Sequence, residues 1–243
     1  MMTNDASDLW PYLPKTYRSS SESEYIGFLW QAYESNYEEG RFEFASLAFH
    51  LLYMSFVSFS VWQIRQAKEE EFSHALIGFQ SEAENKILKA TSPFAFYEKL
   101  KESQIFRFLK IIGCTNEQIG EFAKFVRRRN KIAHPTGSVF FNDQTALDDE
   151  IELILEEVRN IQDHMKPIIR TLYEAFLLDS ADPEEREYGN PDEQVEFAFI
   201  HRFYLSPMDI QSCSDFDLSE FDTHPLKSEI EELHESIDQS LYA

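Results

Sequence analysis

The sequence contains little cysteine, glycine or proline, and it is short of positive charge. Its 243 residues include only 2 Cys, 7 Gly and 9 Pro, and 22 Lys and Arg stand against 44 Asp and Glu. The two cysteines are far apart and lack a CxxC partner, which argues against a disulfide framework and against a cysteine-based zinc site. Scarce turn residues favour long elements over many short strands.

Sequence motifs for several common chemistries are also missing. The chain has no Walker motif, no GxGxxG or GxSxG loop and no HExxH pair. Because these motifs are absent, we expect no bound metal and no cofactor. The first residues show no apolar segment behind a basic start, so we expect no secretory signal and a cytoplasmic protein.

One charge-free run has about the length that a membrane span requires. Between Glu43 and Arg65 lie 21 residues without Asp, Glu, Lys or Arg, which is close to the roughly 20 residues that cross a bilayer. Serine, histidine and glutamine interrupt the run, and its flanks are not strongly basic. We therefore expect a buried central helix and no membrane association.

Apolar periodicity predicts an all-α bundle of about five to six helices. Thr115 followed by Gln118 has the spacing of a capping box, which predicts the start of a helix there, and Gly113 is expected to cap the helix before it. Apolar stripes predict the other helices, over about 24–36, 41–68, 71–89, 94–111 and 147–178.

Composition divides the chain into three regions. Residues 1–23 are predicted to be a flexible lead-in, 24–178 the helical bundle and 179–243 an acidic helical extension. The extension has 18 Asp and Glu against 3 Lys and Arg, and we expect two helices there, separated by a loop over 209–225. It is either a solubilising appendage or a segment that covers a basic site as a mimic of nucleic acid.

Positive charge is concentrated in one place, at the predicted end of the fifth helix. Five cations lie within eight residues, and they are Lys124, Arg127, Arg128, Arg129 and Lys131. The cluster is either a solvated basic face or a groove that follows the phosphates of a nucleic acid.

The residues that end this helix are suited to acid–base chemistry at a phosphate. Asn130 and His134 lie on nearly the same helix face, whereas Arg129 and His134 are about 140° apart. A long Arg stem, a frayed last turn or a second copy of the helix across a two-fold axis would bring guanidinium and imidazole together. Pro135 places His134 at the helix edge, where it can exchange protons, while Arg129 binds phosphate and Asn130 orients the ring.

The segment R-N-K-I-A-H-P resembles the R-N-x-x-x-H signature of the HEPN superfamily, α-helical domains that include metal-independent endoribonucleases. The resemblance covers this motif and the bundle pattern over 24–178. It implies a dimer that apposes two motifs, with Arg129 and His134 catalytic and Asn130 in support. It also implies attack of an RNA 2′-hydroxyl on the neighbouring phosphate to leave a cyclic phosphate. Thr136 replaces the Tyr of the toxin branch paired with nucleotidyltransferase antitoxins, which argues against that branch.

The leading hypothesis is a homodimeric, metal-independent endoribonuclease in phage defence or stress response. In this hypothesis Lys124, Arg127, Arg128 and Lys131 bind the RNA substrate. One alternative is a non-catalytic HEPN-like module that binds nucleotide, RNA or a protein partner. Another is a structural adaptor whose apolar second helix contributes to an oligomer interface. His50, inside that helix, is expected to be a hydrogen-bonded core residue that could assist at a dimer interface.

Overall fold

The computed structural model describes residues 5–134 and 143–241. Within these ranges the regular structure is helical and contains no strand, which confirms the all-α prediction. The α-helices are α1 (Ser20–Glu38), α2 (Phe42–Ala67), α3 (Glu69–Ala75), α4 (Ser81–Leu88), α5 (Glu102–Ile105), α6 (Asn116–Ala133), α7 (Gln144–Asp179), α8 (Pro191–Glu193), α9 (Pro207–Ser214) and α10 (Lys227–Ser240). Four 3₁₀ helices (Asp5–Tyr12, Pro93–Glu98, Phe106–Ile112 and Leu218–Phe221) and a π-helix (Gln194–His201) complete the described elements.

Helix α2 is the central element of the fold. A turn at Gly40, in a left-handed conformation with φ of 70°, joins it to α1, and the two helices pack side by side. In the described ranges α2 is the one helix long and apolar enough to cross a membrane, but 83% of its most apolar window is buried inside the protein. The prediction of a buried central helix is therefore confirmed.

Helix α7 is the second long element and packs along α2. It begins at Asp143, whose carboxylate accepts a hydrogen bond of 2.8 Å from the backbone N–H of Ala146. Its apolar positions recur at helical spacing and are buried, as at Ile151, Val158 and Met165. The long helix predicted over 147–178 is thus confirmed, with a slightly earlier start.

The prediction of one continuous helix over 71–89 is wrong. The structure has two shorter helices, α3 and α4, with Gly78 between them. Gly78 has a φ of 97°, a conformation that other residues rarely adopt and that no α-helix contains. A continuous helix therefore cannot pass through this position.

The helix predicted over 94–111 is also wrong, because that segment forms two 3₁₀ helices on either side of α5. Phe106, Phe108 and Leu109 are all buried, and residues so close together cannot all face one side of a single helix. The chain bends before Glu102 and so brings this residue next to α6.

The start of the chain is packed rather than flexible, from Asp5 onward. Leu9 and Leu13 are fully buried, and the 3₁₀ helix that carries Leu9 packs against α7. Lys15 donates its backbone N–H to the carbonyl of Leu205 at 2.9 Å. The apolar residues of the lead-in are part of the core, which corrects the prediction of a loose segment.

The acidic C-terminal region shares the core of the bundle. Most of α9 lies in the loop predicted over 209–225, and the helix starts just before it, with a capping box between Ser206 and Asp209 and with Pro207 in its first turn. The carboxylate of Asp209 is buried and accepts hydrogen bonds from Gln63 of α2 at 3.0 Å and Gln162 of α7 at 2.7 Å. This region is helical as predicted, but it is integrated with both long helices.

Candidate functional site

Helix α6 carries the cation cluster and the R-N-x-x-x-H motif. It starts with the predicted capping box, in which Thr115 and Gln118 each bind the other's backbone N–H. Phe122 is fully buried and Val126 nearly so, which fixes the rotation of the helix about its axis. The side chains of the motif are consequently placed by a well-anchored helix.

The helix ends at Ala133, as the sequence indicates. His134 is the C-cap residue, with extended backbone angles (φ −97°, ψ 142°), and its N–H donates to the carbonyl of Asn130 at 3.0 Å. This is the conformation that a following proline favours. The His134 side chain is exposed, so its ring is accessible to a substrate or to a second copy of the chain.

Arg129 belongs to a three-residue network that also contains Glu102 and His50. One Glu102 oxygen forms an ion pair with the Arg129 guanidinium, and the other is 3.1 Å from Nε2 of His50. Only 11% of the Glu102 side chain and 23% of the Arg129 side chain are exposed. The network fixes the guanidinium at the inner side of α6.

Burial and charge have opposite effects on Glu102. Burial by itself raises the pKa of a carboxyl group, but the hydrogen bonds and charges of His50 and Arg129 outweigh it and hold the pKa of Glu102 below its usual value. Glu102 is therefore ionised at neutral pH. Its negative charge compensates the partly buried guanidinium of Arg129.

A pocket of about 380 Å³ lies beside this network. Val126, Arg129 and Asn130 line it from α6, and the remainder is lined by Tyr97, Leu100, Lys101, Glu102 and Ser103. The structure thus brings two of the three predicted catalytic residues to one pocket. Within the described residues, His134 does not line it, so any joint action of His134 and Arg129 requires a change in the last turn or a second copy.

The other predicted substrate-binding cations are not equivalent. Arg128 points inward and forms an ion pair of 3.2 Å with Glu150, which is buried. Burial raises the pKa of Glu150, an effect that the charge of Arg128 partly offsets. Lys124 pairs with Glu121 on the helix surface, and Arg127 and Lys131 are exposed. Of these cations, Arg127 and Lys131 are best placed to contact the phosphates of a nucleic acid.

In the part of the chain that the structure describes, the acidic C-terminal region does not pack against α6. Its helices pack against α7, against the 3₁₀ helix Asp5–Tyr12 and against one another, whereas α6 packs on α2, α5 and the 3₁₀ helix Phe106–Ile112. The acidic partners of Arg129, Arg128 and Lys124 all precede residue 179. Neutralisation of the cluster in the described structure therefore comes from the bundle itself.

Sequence reasoning missed Glu102 and gave His50 only an assisting role. Glu102 is far from the motif in sequence, and no local pattern connects it with Arg129. The one available signal is a histidine within the apolar α2, because a buried imidazole requires a polar partner. That signal predicts that some partner exists but not which residue it is.

No family model matches the chain, and comparisons with curated proteins and with solved structures found no match. The fold and the site define an all-α protein with an Arg–Asn pair in a surface pocket and an exposed histidine at the end of the same helix.

Proposed function

We propose that this protein is a metal-independent endoribonuclease of HEPN type that acts as a homodimer. The observation that carries the proposal is the end of α6, where Arg129 and Asn130 face one pocket and His134 caps the helix with an exposed ring. These are a phosphate-binding cation, an orienting amide and a proton-transfer group.

The proposed reaction is an attack within the RNA strand. The 2′-oxygen forms a bond to the adjacent phosphorus and loses its proton, the bond from phosphorus to the 5′-oxygen breaks, and a proton is delivered to that leaving oxygen. The products are a 2′,3′-cyclic phosphate and a 5′-hydroxyl end. His134 exchanges the protons, and Arg129 stabilises the charge that develops on the phosphoryl oxygens.

The pairing of Arg129 with Glu102 is compatible with phosphate binding. A guanidinium has five N–H donors, so one ion pair leaves others for a phosphate. The Nε of Arg129 is buried and has no hydrogen-bond partner among the described residues. Glu102 orients the group and prevents the side chain from sampling other rotamers, which lowers the entropic cost of binding.

One observation favours the second candidate, a non-catalytic module that binds nucleotide, RNA or a protein partner. His134 is absent from the described lining of the Arg129 pocket. A binding module needs the pocket alone, whereas the enzyme needs His134 near the bound phosphate. The two functions therefore differ in their dependence on this histidine.

The test is RNA cleavage by the purified protein in EDTA, with transfer RNA and messenger RNA as substrates. The enzyme hypothesis predicts that His134→Ala loses activity by about 100-fold or more, the usual contribution of a general acid or base. The matched control is His74→Ala, since His74 is also exposed near the end of a helix, and it should cleave like the wild type. Equal activity of both variants would contradict the proposal, and RNA binding without cleavage would favour the module.

The proposed setting is the cytoplasm, in phage defence or a stress response. Both cysteines, Cys114 and Cys213, are free and buried, which fits a reducing compartment. The biological role rests on the resemblance of the motif alone. Inhibition by a protein partner is part of the proposal, because a ribonuclease in a cell requires restraint. Inhibition by the acidic C-terminal region of the same chain would require that region to leave its packing against α7.

A further inference from the structure

A second and larger concavity adjoins the Arg129 pocket. It is a cleft of about 530 Å³ between the start of α1, the middle of α2 and the 3₁₀ helix Pro93–Glu98. Tyr97 and Glu102 line both concavities, so the two share a wall. The two concavities are therefore immediate neighbours, and a ligand that occupies both has to cross this shared wall.

The walls of the cleft suit a flat aromatic group. Tyr25, Phe94 and Tyr97 line it together with the apolar side chains of Leu51 and Met54. The Tyr25 and Phe94 rings meet edge to face, with centroids 5.3 Å apart and an interplanar angle of 83°, so each ring holds the other in place. The volume falls within the range of small-molecule sites.

The polar groups of the cleft select the kind of ring. Glu22 supplies carboxylate oxygens, which accept hydrogen bonds from N–H groups and repel anions, whereas the charge of Glu102 is compensated by Arg129. Glu22 is fixed by Tyr204 and Ser92, whose hydroxyl groups donate to it at 3.0 and 2.6 Å. A phosphate is therefore expected on the Arg129 side, and a neutral ring with an amino group in the cleft.

We propose that the cleft binds a nucleobase with an exocyclic amino group, namely adenine, cytosine or guanine. The phosphate attached to its nucleotide then lies at Arg129. The inference rests on the proposed function in taking RNA as the molecule bound at Arg129. It adds a binding site for the base and a preference against uracil, whose one ring N–H donor lies between two carbonyl oxygens that a carboxylate repels.

The experiment measures binding of labelled 2′-O-methyl pentanucleotides to the full chain by fluorescence anisotropy. These probes cannot be cleaved through the 2′-oxygen, so binding is separated from reaction. The adenine and cytosine probes should bind more tightly than the uracil probe. Tyr25→Ala should weaken binding of the adenine probe about tenfold through loss of a stacking surface, and Tyr25→Phe should retain the wild-type affinity.

The matched control is Phe28→Ala, one turn further along α1, because Phe28 is an exposed aromatic residue outside the cleft lining. It should bind all three probes like the wild type, and circular dichroism should show all variants folded. Equal affinities of Tyr25→Ala and wild type for the adenine probe would overturn the inference. A change in sedimentation instead of affinity would also overturn it, by assigning the cleft to a second copy of the chain.

The outcome for the cleft is separable from the outcome for cleavage. Tyr25-dependent binding without cleavage under any condition would support the base site and remove the ribonuclease proposal. Cleavage that requires His134, together with binding indifferent to Tyr25, would support the ribonuclease and remove the base site.

Discussion

At the scale of single residues, the carboxylate of Glu102 holds the functional groups of the site in place. It contacts the guanidinium of Arg129 with one oxygen and the imidazole of His50 with the other. Without it, a partly buried cation and a buried ring would both lose a partner. The same carboxylate forms part of the wall between the Arg129 pocket and the adjoining cleft.

Glu102→Gln should lower the free energy of unfolding at pH 7 by about 1–3 kcal/mol, since it leaves hydrogen-bonding groups without their charged partner. The pKa of Glu102 is lowered in the fold, so its contribution is present above the usual glutamate pKa of 4.5 and is lost as the pH falls through the lower folded value. The difference between wild type and variant, measured by urea unfolding, should therefore shrink from pH 7 to about pH 3.5.

The control for this measurement is Glu98→Gln, because Glu98 is an exposed carboxylate on the neighbouring 3₁₀ helix. Its unfolding free energy should stay within about 0.5 kcal/mol of the wild type. A Glu102→Gln deficit of the same size at both pH values would contradict the charge-based account.

At the scale of elements, α9 links the C-terminal region to the two long helices. Asp209 is 3% exposed and accepts hydrogen bonds from Gln63, Gln162 and the backbone N–H of Ser206. Burial raises the pKa of Asp209, and the hydrogen bonds only partly offset this effect. The carboxylate thus joins three helices in a buried polar network.

Asp209→Ala should reduce the free energy of unfolding by about 2–4 kcal/mol, because it leaves two buried amide groups and a backbone N–H without an acceptor. Urea denaturation of the full chain measures this loss. The control is Asp215→Ala, at the exposed C-terminal cap of the same helix, where little change is expected. A similarly small effect at Asp209 would show that the network does not stabilise the junction.

The elements also show which parts of the fold and site are predictable from sequence. Helix α6 is predictable from sequence, because its capping box, apolar stripe and pre-proline end are all local signals. The start of α9 carries the local signal Ser206-Pro207, but the polar residues that follow it favour a loop. The breaks around α5 depend on packing against distant residues, and so does the contact between Glu102 and Arg129. Long-range packing of this kind is not encoded in spacing.

At the scale of the whole molecule, the formal charge of −22 opposes contact with RNA, so binding must depend on local cations. The acidic region is not a removable cover, because Ile230, Leu233 and Ile237 of α10 are fully buried. Deletion from residue 179 would open the core. The hypothesis that this region regulates the site is better examined by replacing exposed carboxylates such as Glu231 and Glu235.

The proposed dimer can be examined by mixing two inactive variants. If Arg129 of one chain acts with His134 of the other, Arg129→Ala and His134→Ala are each inactive, but their mixed dimer contains one intact site. Unfolding and refolding of an equal mixture should then restore roughly one quarter of wild-type cleavage. Persistent inactivity of a mixture that sediments as a dimer would place both residues of a site in one chain.

The central claim is RNA cleavage by the 2′-hydroxyl without a metal, and the chemistry of the fragment ends tests it most directly. RNA incubated with the wild-type protein in EDTA should yield 2′,3′-cyclic phosphate and 5′-hydroxyl ends, which His134→Ala should not produce. Fragments with 5′-phosphate and 3′-hydroxyl ends that appear only when Mg²⁺ is added would contradict the claim, because they require water activated by a metal as the nucleophile.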